Sequence, residues 1–585
     1  MRRRDLLAGL AAAPFAAGVA RAGDRPGDPP FQGRSPALGA RGMAATAHPL
    51  ATEAAIAILK AGGSAVDAAI AANAMLGLVE PTGCGIGGDL FALVWDPGAR
   101  ALAGLDASGF APAGLDVTAL RARHRPNIHP LGMDAVTVPG TVAGWGALHA
   151  RFGRLPMPEL LAPAIAAARE GVVLPPVIAR GWAANIRRFE ADRARIEAAD
   201  LAFALYAPAG RAPAEGEIFT NPDLAETYAM IGRDGWEGFY RGAFAADLEA
   251  HFRRHGRVMG AADLAAMKAE LVTPIPARYR DVRLWQIPPA TQGLTTLQMA
   301  RIVERFPMAT LAEADRLHVL VEAKKLAFAD RARFLADPRR VRVPVSTLLA
   351  DRYIAGRAAL IAMDRALPDE LPPGDPEEHS DTSYLATADA TGMMVSLIQS
   401  NYRGMGSGVV VPRRAPVAGG RGGWGFMLQN RGAQFALDPA RANAIAPGKR
   451  PFHTIIPGFV TRPGPTQEEP LMAFGVMGGT MQPQGQVQVL SNIIDLGMNL
   501  QAAGDAPRVR HLGSPDPGDG REDTPGVFLE SGFGAATRAS LQARGHVLLE
   551  RYQDVGGYQA VMWDSGRRVW RGASESRKDG VALGF

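Results

Sequence analysis

Asp381-Thr382-Ser383-Tyr384-Leu385-Ala386-Thr387-Ala388-Asp389-Ala390-Thr391-Gly392-Met393-Met394-Val395-Ser396-Leu397-Ile398-Gln399-Ser400 is the stretch on which the reading of this chain turns. Thr382 to Ala388 is rich in β-formers, Asp389 to Gly392 has the composition of a turn, and Met393 to Ser400 is a second β-like run. The three together predict a hairpin. A turn centred between Ala390 and Thr391 sets Thr382 opposite Gln399, with the Ser400 hydroxyl one step away.

What flanks the hairpin adds to its interest. Upstream, Asp364 to Ser380 carries Pro368, Pro372, Pro373, Pro376 and acidic residues without an apolar period, and reads as an exposed loop ending at Thr382. Downstream come two glycine-rich segments, Gly404-Met405-Gly406-Ser407-Gly408 and Gly475-Val476-Met477-Gly478-Gly479-Thr480. Glycine pairs are most often plain turns, but they also let backbone N–H groups approach a developing oxyanion without a Cβ in the way.

Further out, Pro49 opens a helix that stops at Gly62-Gly63, and Ser64 with Asp67 is a capping-box signature for a second helix to about Leu78. Gly83, Gly85 and Gly88 match GxGxxG. That fingerprint must follow a strand and open a helix, whereas here a helix precedes it and the apolar run Leu90–Trp95 follows, so a tight helix-to-strand turn is the expectation. Residues 115–370 are mostly Ala/Leu/Arg-rich with helical spacing, as in 317–335, interrupted by a strand-like segment at 282–287. Beyond Lys449, β-branched runs at 459–460, 471–476 and 558–563 alternate with turns.

Composition narrows the function classes. The 63 Lys+Arg are nearly matched by 58 Asp+Glu and are scattered, which argues against a nucleic-acid partner. Residues 1–22 combine Arg2-Arg3-Arg4, a short Ala/Gly-rich apolar run and Ala20-Arg21-Ala22, and resemble a twin-arginine export signal to the periplasm. A retained basic anchor is the other reading; a membrane span would need ~20 apolar residues. The single cysteine, Cys84, precludes an internal disulfide and a cysteine-based zinc cluster.

The segment Asp381-Thr382-Ser383-Tyr384, with Asp389, Gly392 and Gly406 at their spacings, resembles the start of the small subunit of γ-glutamyltransferases. Further matches fall in family order: Ala45–Ala51, Gly62–Ala69, Gly85–Gly88, Val138-Pro139-Gly140, Pro288–Gly293 and Asp330-Arg331. Nearly the whole mature chain is covered. The resemblance implies an α+β fold, an αββα four-layer sandwich of the N-terminal nucleophile hydrolase type, with two stacked mainly antiparallel sheets between helices. It implies a precursor cut between Asp381 and Thr382 into a large subunit, 23–381, and a small subunit, 382–585, both in one sandwich.

By the same resemblance Thr382 is the nucleophile of self-cleavage and of turnover, and its freed α-amine, with a pKa of about 7.7–8.0 in peptides, is the base. Ser400 stands where a threonine contacts that amine, Gly478 and Gly479 match the oxyanion glycines, and His453 and Thr454 occupy the place of a serine pair that contacts substrate carboxylate. A packed loop histidine is an equal reading of His453. The specificity pocket departs from the family. Ser108 replaces the arginine that grips the γ-glutamyl carboxylate, Tyr402 replaces an asparagine, and Arg431 and Gln434 stand where a glutamine and an aspartate hold the α-amino end. Arg431 is either a carboxylate partner from another wall or a salt-bridge residue.

Two substrate classes follow. The first is γ-glutamyl amides such as glutathione, with water or an amino acid as acceptor. The second is another small carboxylate-bearing amide, oxamate-like or a β-lactam side chain, toward which Gln429-Asn430-Arg431-Gly432 and Ser108 lean. A non-catalytic periplasmic protein is the third reading. No metal or organic cofactor is required by this chemistry, and assembly beyond the subunit pair, for instance a homodimer of processed heterodimers, is left open.

Overall fold

A computed structural model describes residues 29–368, 382–464, 466–514, 516–518 and 525–585. The signal-like segment 1–22, Asp381 and most of the proline-rich loop before it lie outside the described residues.

Local chemistry sets the first elements. His48 caps the helix Pro49–Lys60, its Nδ1 accepting from Leu50 N at 3.2 Å, with proline at the first helical position. Ser64 and Asp67 form the reciprocal capping box that opens the helix Ala65–Val79, which is buried along its whole length. The glycine turn after it leads directly into the strand Asp89–Asp96. A Cβ on Gly87 would lie 2.1 Å from Met427 O and one on Gly88 2.3 Å from Ser400 O, so these glycines serve close backbone packing.

Two seven-stranded sheets follow. The first runs Val581–Gly584, Met43–Thr46, Ser383–Ala388, Met394–Ser400, Asp89–Asp96, Ala101–Ala107, Glu270–Val272, antiparallel throughout, with the Ser383–Ala388 strand well inside it. The second runs Ala37–Gly39, Val569–Ser574, Tyr558–Asp564, Glu468–Val476, Gly458–Pro463, Val282–Gln286, Ile275–Tyr279, also antiparallel. Helices Pro49–Lys60, Ala65–Val79 and Thr141–Phe152 cover the first sheet. Gly293–Val303, Met481–Ile494 and Leu500–Asp505 cover the second, and the inner faces of the sheets pack on each other. This is the expected αββα sandwich. Its apolar residues form one core around the first sheet and a second between the other sheet and its helices. Among the described residues no helix is long and apolar enough to cross a membrane.

The hairpin forms, but its register is one residue off the sequence expectation. Ser383 pairs with Gln399 and Ala388 with Met394, so continuing the ladder sets Thr382 opposite Ser400, not Gln399. The cause is the turn. Asp389 N bonds Met393 O at 3.1 Å around a three-residue loop whose last member, Gly392, has φ +93°. A left-handed glycine after a tight turn adds one residue to the loop.

Candidate active site

Thr382 is buried at the head of the Ser383–Ala388 strand. Gly83 makes room for it, since a Cβ there would stand 3.2 Å from the Thr382 nitrogen. The next residue is anchored by Ser383 Oγ donating to Glu80 Oε2 at 2.6 Å. In the second sheet the strand Glu468–Val476 ends just before Gly478 and Gly479, with φ of +112° and +55°, and the helix Met481–Ile494 begins just after. A glycine pair in the left-handed region at a helix N-terminus turns its N–H groups off the strand, toward where negative charge is favoured.

Gln482, in the first turn of that helix, joins the two parts. Its backbone N–H donates to Gly479 O at 3.1 Å, its Nε2 donates to Thr382 Oγ1 at 3.3 Å, and its Oε1 accepts from Ile456 N at 3.1 Å. Gln292 holds the neighbouring wall: Nε2 donates to Thr454 O (2.6 Å) and Gly479 O (2.8 Å), while Oε1 accepts from the buried Arg331 (2.8 Å). Gln292 lies in the Pro288–Gly293 run that carries the family resemblance but has no role assigned from sequence, and Gln482 belongs to none of the matched runs. The signal present for Gln482 was the run Gln482-Pro483-Gln484-Gly485-Gln486-Val487-Gln488, whose four glutamines are all buried in the helix and so each demand specific partners.

Arg431 opens a short 3-10 turn, Arg431–Gln434, and is fully buried. Its Nη1 donates to Gln434 Oε1 at 2.9 Å and to Thr454 Oγ1 at 3.1 Å, and the guanidinium lies over the Tyr402 ring, 4.8 Å from its centre. Among the described residues its Nε and Nη2 have no hydrogen-bond partner. Burial lowers its pKa to about 10, against the pull of Asp89 and Tyr402. The salt-bridge reading therefore has no carboxylate in hydrogen-bond contact with it among the described residues. Tyr402 itself sits at φ +80°, a conformation costing about 1–3 kcal/mol in a side-chain-bearing residue, and its N–H donates to Ser400 Oγ at 2.8 Å.

The structure thus brings Thr382, Ser400, Tyr402, Arg431, Gln434, Thr454, Gly478 and Gly479 into one neighbourhood, joined by hydrogen bonds through Gln482 and Gln292 and by the ring contact of Tyr402 with Arg431. Two expected substrate contacts stand differently. Both nitrogens of His453 are engaged, Nδ1 with Pro451 O and Nε2 with Asp89 Oδ2, each at 2.8 Å. Asp89 in turn accepts from Gly109 N (2.7 Å) and Gln429 Nε2 (2.9 Å) through its other oxygen, so His453 acts as a strut and Thr454 reaches Arg431. Ser108 donates its hydroxyl to Asp106 Oδ1 at 2.6 Å, and Asp106 also pairs with Arg450 at 2.9 Å.

Comparison with known proteins agrees with this geometry. The gamma-glutamyltranspeptidase family profile matches residues 51–585. The chain is 35% identical to an oxamate amidohydrolase proenzyme of Klebsiella pneumoniae, over 93% of this chain and 98% of that one. It is 33% identical to the glutathione hydrolase-like YwrD proenzyme of Bacillus subtilis, over 94% and 99%. Among solved structures, the cephalosporin acylase of Bacillus halodurans superposes with a TM-score of 0.84 at 40% identity, over 94% of this chain and 97% of that one. A sandwich of this type, a threonine at the head of an inner strand and kinship along almost the full length lead to one assignment: the chain belongs to the gamma-glutamyltranspeptidase family of N-terminal nucleophile hydrolases.

Proposed function

We propose that this protein is a self-cleaving amidohydrolase that acts on a small amide carrying a carboxylate on its acyl side, with Thr382 as nucleophile and Arg431 as the carboxylate anchor. The observation that carries the reading is the Arg431 guanidinium, buried with two nitrogens, Nε and Nη2, unpartnered among the described residues. A buried cation without a hydrogen-bonded counter-ion is costly, and an incoming carboxylate offsets that cost with charge-assisted hydrogen bonds. Ser108, its hydroxyl held by Asp106, offers no equivalent of the arginine that γ-glutamyl recognition uses in the family. The similarity to an oxamate amidohydrolase and a cephalosporin acylase points the same way.

In this reading, cleavage after Asp381 frees the Thr382 amine. The amine takes the proton from Oγ1 as the oxygen attacks the substrate carbonyl, the Gly478 and Gly479 N–H groups meet the oxyanion, and the proton passes to the departing amine. The resulting acyl ester on Oγ1 is opened by water, whose proton the α-amine accepts and returns to Oγ1 as the acid leaves. Ser400, one pair beyond the last bonded pair Ser383–Gln399, holds the amine in this reading. Export through the twin-arginine-like segment belongs to the same proposal.

The test is intact mass and N-terminal sequencing of the purified protein, with amine release measured on oxamate, on mono-amides of longer dicarboxylic acids and on γ-glutamyl amides. Two fragments, one beginning at Thr382, with faster release from the simple carboxylate amides support the reading. Faster γ-glutamyl turnover would transfer it to glutathione-type substrates, and an uncut, inactive chain would favour a non-catalytic role.

A further inference from the structure

We propose that His318, Glu322 and His546 form a buried site for a divalent transition metal of the zinc type, separate from the Thr382 centre. His318 and Glu322 are four residues apart on the helix Glu313–Phe334, hence on one face of it. His546 comes from the turn after the helix Ala535–Ala543. All three are buried, and their ligand atoms lie within 4.8 Å of one another.

The hydrogen bonds around the cluster orient it as a donor set. His318 Nε2 faces Ala362 O at 2.9 Å and so carries the proton, which leaves the Nδ1 lone pair directed at His546 Nε2, 2.8 Å away. Glu322 Oε2 accepts from Leu367 N at 2.7 Å, and Oε1 faces the cluster, 4.0 Å from His546 Nε2. A zinc-type ion takes imidazole and carboxylate donors at about 2.0–2.2 Å, which sets two nitrogens roughly 3.3 Å apart, so the histidines need to part by about half an ångström. The ion replaces the hydrogen that joins the two rings, and the proton His546 gives up at Nε2 is carried on its Nδ1 instead. Lys325 Nζ pairs with Glu322 Oε1 at 3.1 Å; on metal binding it retains Leu367 O as an acceptor at 2.7 Å. Two imidazoles and a carboxylate suit zinc, nickel or copper over magnesium or calcium. Bound there, the ion would tie a helix that precedes Thr382 in the chain to a segment that follows it.

The experiment strips the purified protein with a chelator, then titrates it with Zn2+ by calorimetry and with Co2+ by visible absorption, alongside H546Q and E322Q. The expected result is one Zn2+ per wild-type chain, low-coordinate Co2+ bands, a melting temperature that rises with Zn2+, and affinity at least ~100-fold weaker in both variants. No uptake by the wild type, or equal uptake by both variants, overturns the proposal. Should a variant fail to fold, the wild-type Co2+ spectrum decides, because the absence of low-coordinate bands overturns it equally.

Discussion

Gln482 donates its side-chain amide hydrogen to the hydroxyl oxygen of Thr382 across 3.3 Å, from the first turn of the helix that follows Gly478 and Gly479. An oxygen that accepts from Gln482 turns its own hydrogen elsewhere, and in the proposed mechanism the base on Thr382 is where that hydrogen is needed. Gln482 is in this sense a positioning residue. Q482L should lower kcat about tenfold, the worth of one neutral hydrogen bond lost from an aligned nucleophile, with KM little changed. Steady-state kinetics on the preferred amide checks this, and an equal rise in KM would mean that the wall had collapsed.

The Arg431 guanidinium should show a trade between stability and function. Arg431→Met removes a buried cation that has no hydrogen-bonded carboxylate among the described residues, while roughly keeping the volume of the stem. We expect the free protein to gain about 1–4 kcal/mol, as when apolar residues replace buried charges elsewhere. Turnover of the carboxylate-bearing substrate should fall at least ~30-fold, since a buried charge-assisted contact is worth about 2–5 kcal/mol. Chemical denaturation and kcat/KM on the same preparation test both halves; a destabilised variant would refute the unpaired-charge argument.

How much of this was legible beforehand follows from where each partner lies in the chain. The Ser64–Asp67 box and the Thr382–Ser400 hairpin are local, so spacing revealed them, and the register slipped only because Gly392 adopts a left-handed turn that composition does not date to one residue. Arg431 and Thr454 were placed by resemblance, but nothing in the sequence says that Arg431 has no hydrogen-bonded carboxylate among the described residues. Asp89 and His453, 364 residues apart, meet only through the packing of the sandwich, and Gln292 and Gln482 carry no chemical signature of their own. Long-range hydrogen bonds of neutral side chains leave no periodicity to read.

His48 predicts part of the acid limit of stability. Its Nδ1 must be unprotonated to accept from Leu50 N, and burial lowers its pKa to about 4 from an ordinary 6.5. The unfolded chain therefore binds the proton more readily, so stability is intact above about pH 6.5 and declines as the pH falls toward 4, by up to ~3 kcal/mol. Asparagine caps helices well without titrating. H48N should match the wild type at pH 7.5 within about 1 kcal/mol and flatten the loss between pH 6.5 and 4, as read from urea midpoints across that range.

The pH profile of the reaction should have two limbs with separate owners. If the proposed Thr382 α-amine is the base, it holds a proton below about pH 8, so kcat/KM should rise with pH toward that value. Arg431, lowered to about 10 by burial, loses its charge as the pH passes that point, and with it the attraction for the substrate carboxylate, so kcat/KM then falls. The second limb belongs to binding and not to the chemistry. A substrate of the same shape with a neutral amide or ester in place of the carboxylate should keep the lower limb and lose the upper one, even though its overall rate is low. Measuring both substrates from pH 6 to 11 separates this from alkaline unfolding, which would bend both curves alike. A shared upper limb would remove Arg431 from carboxylate recognition.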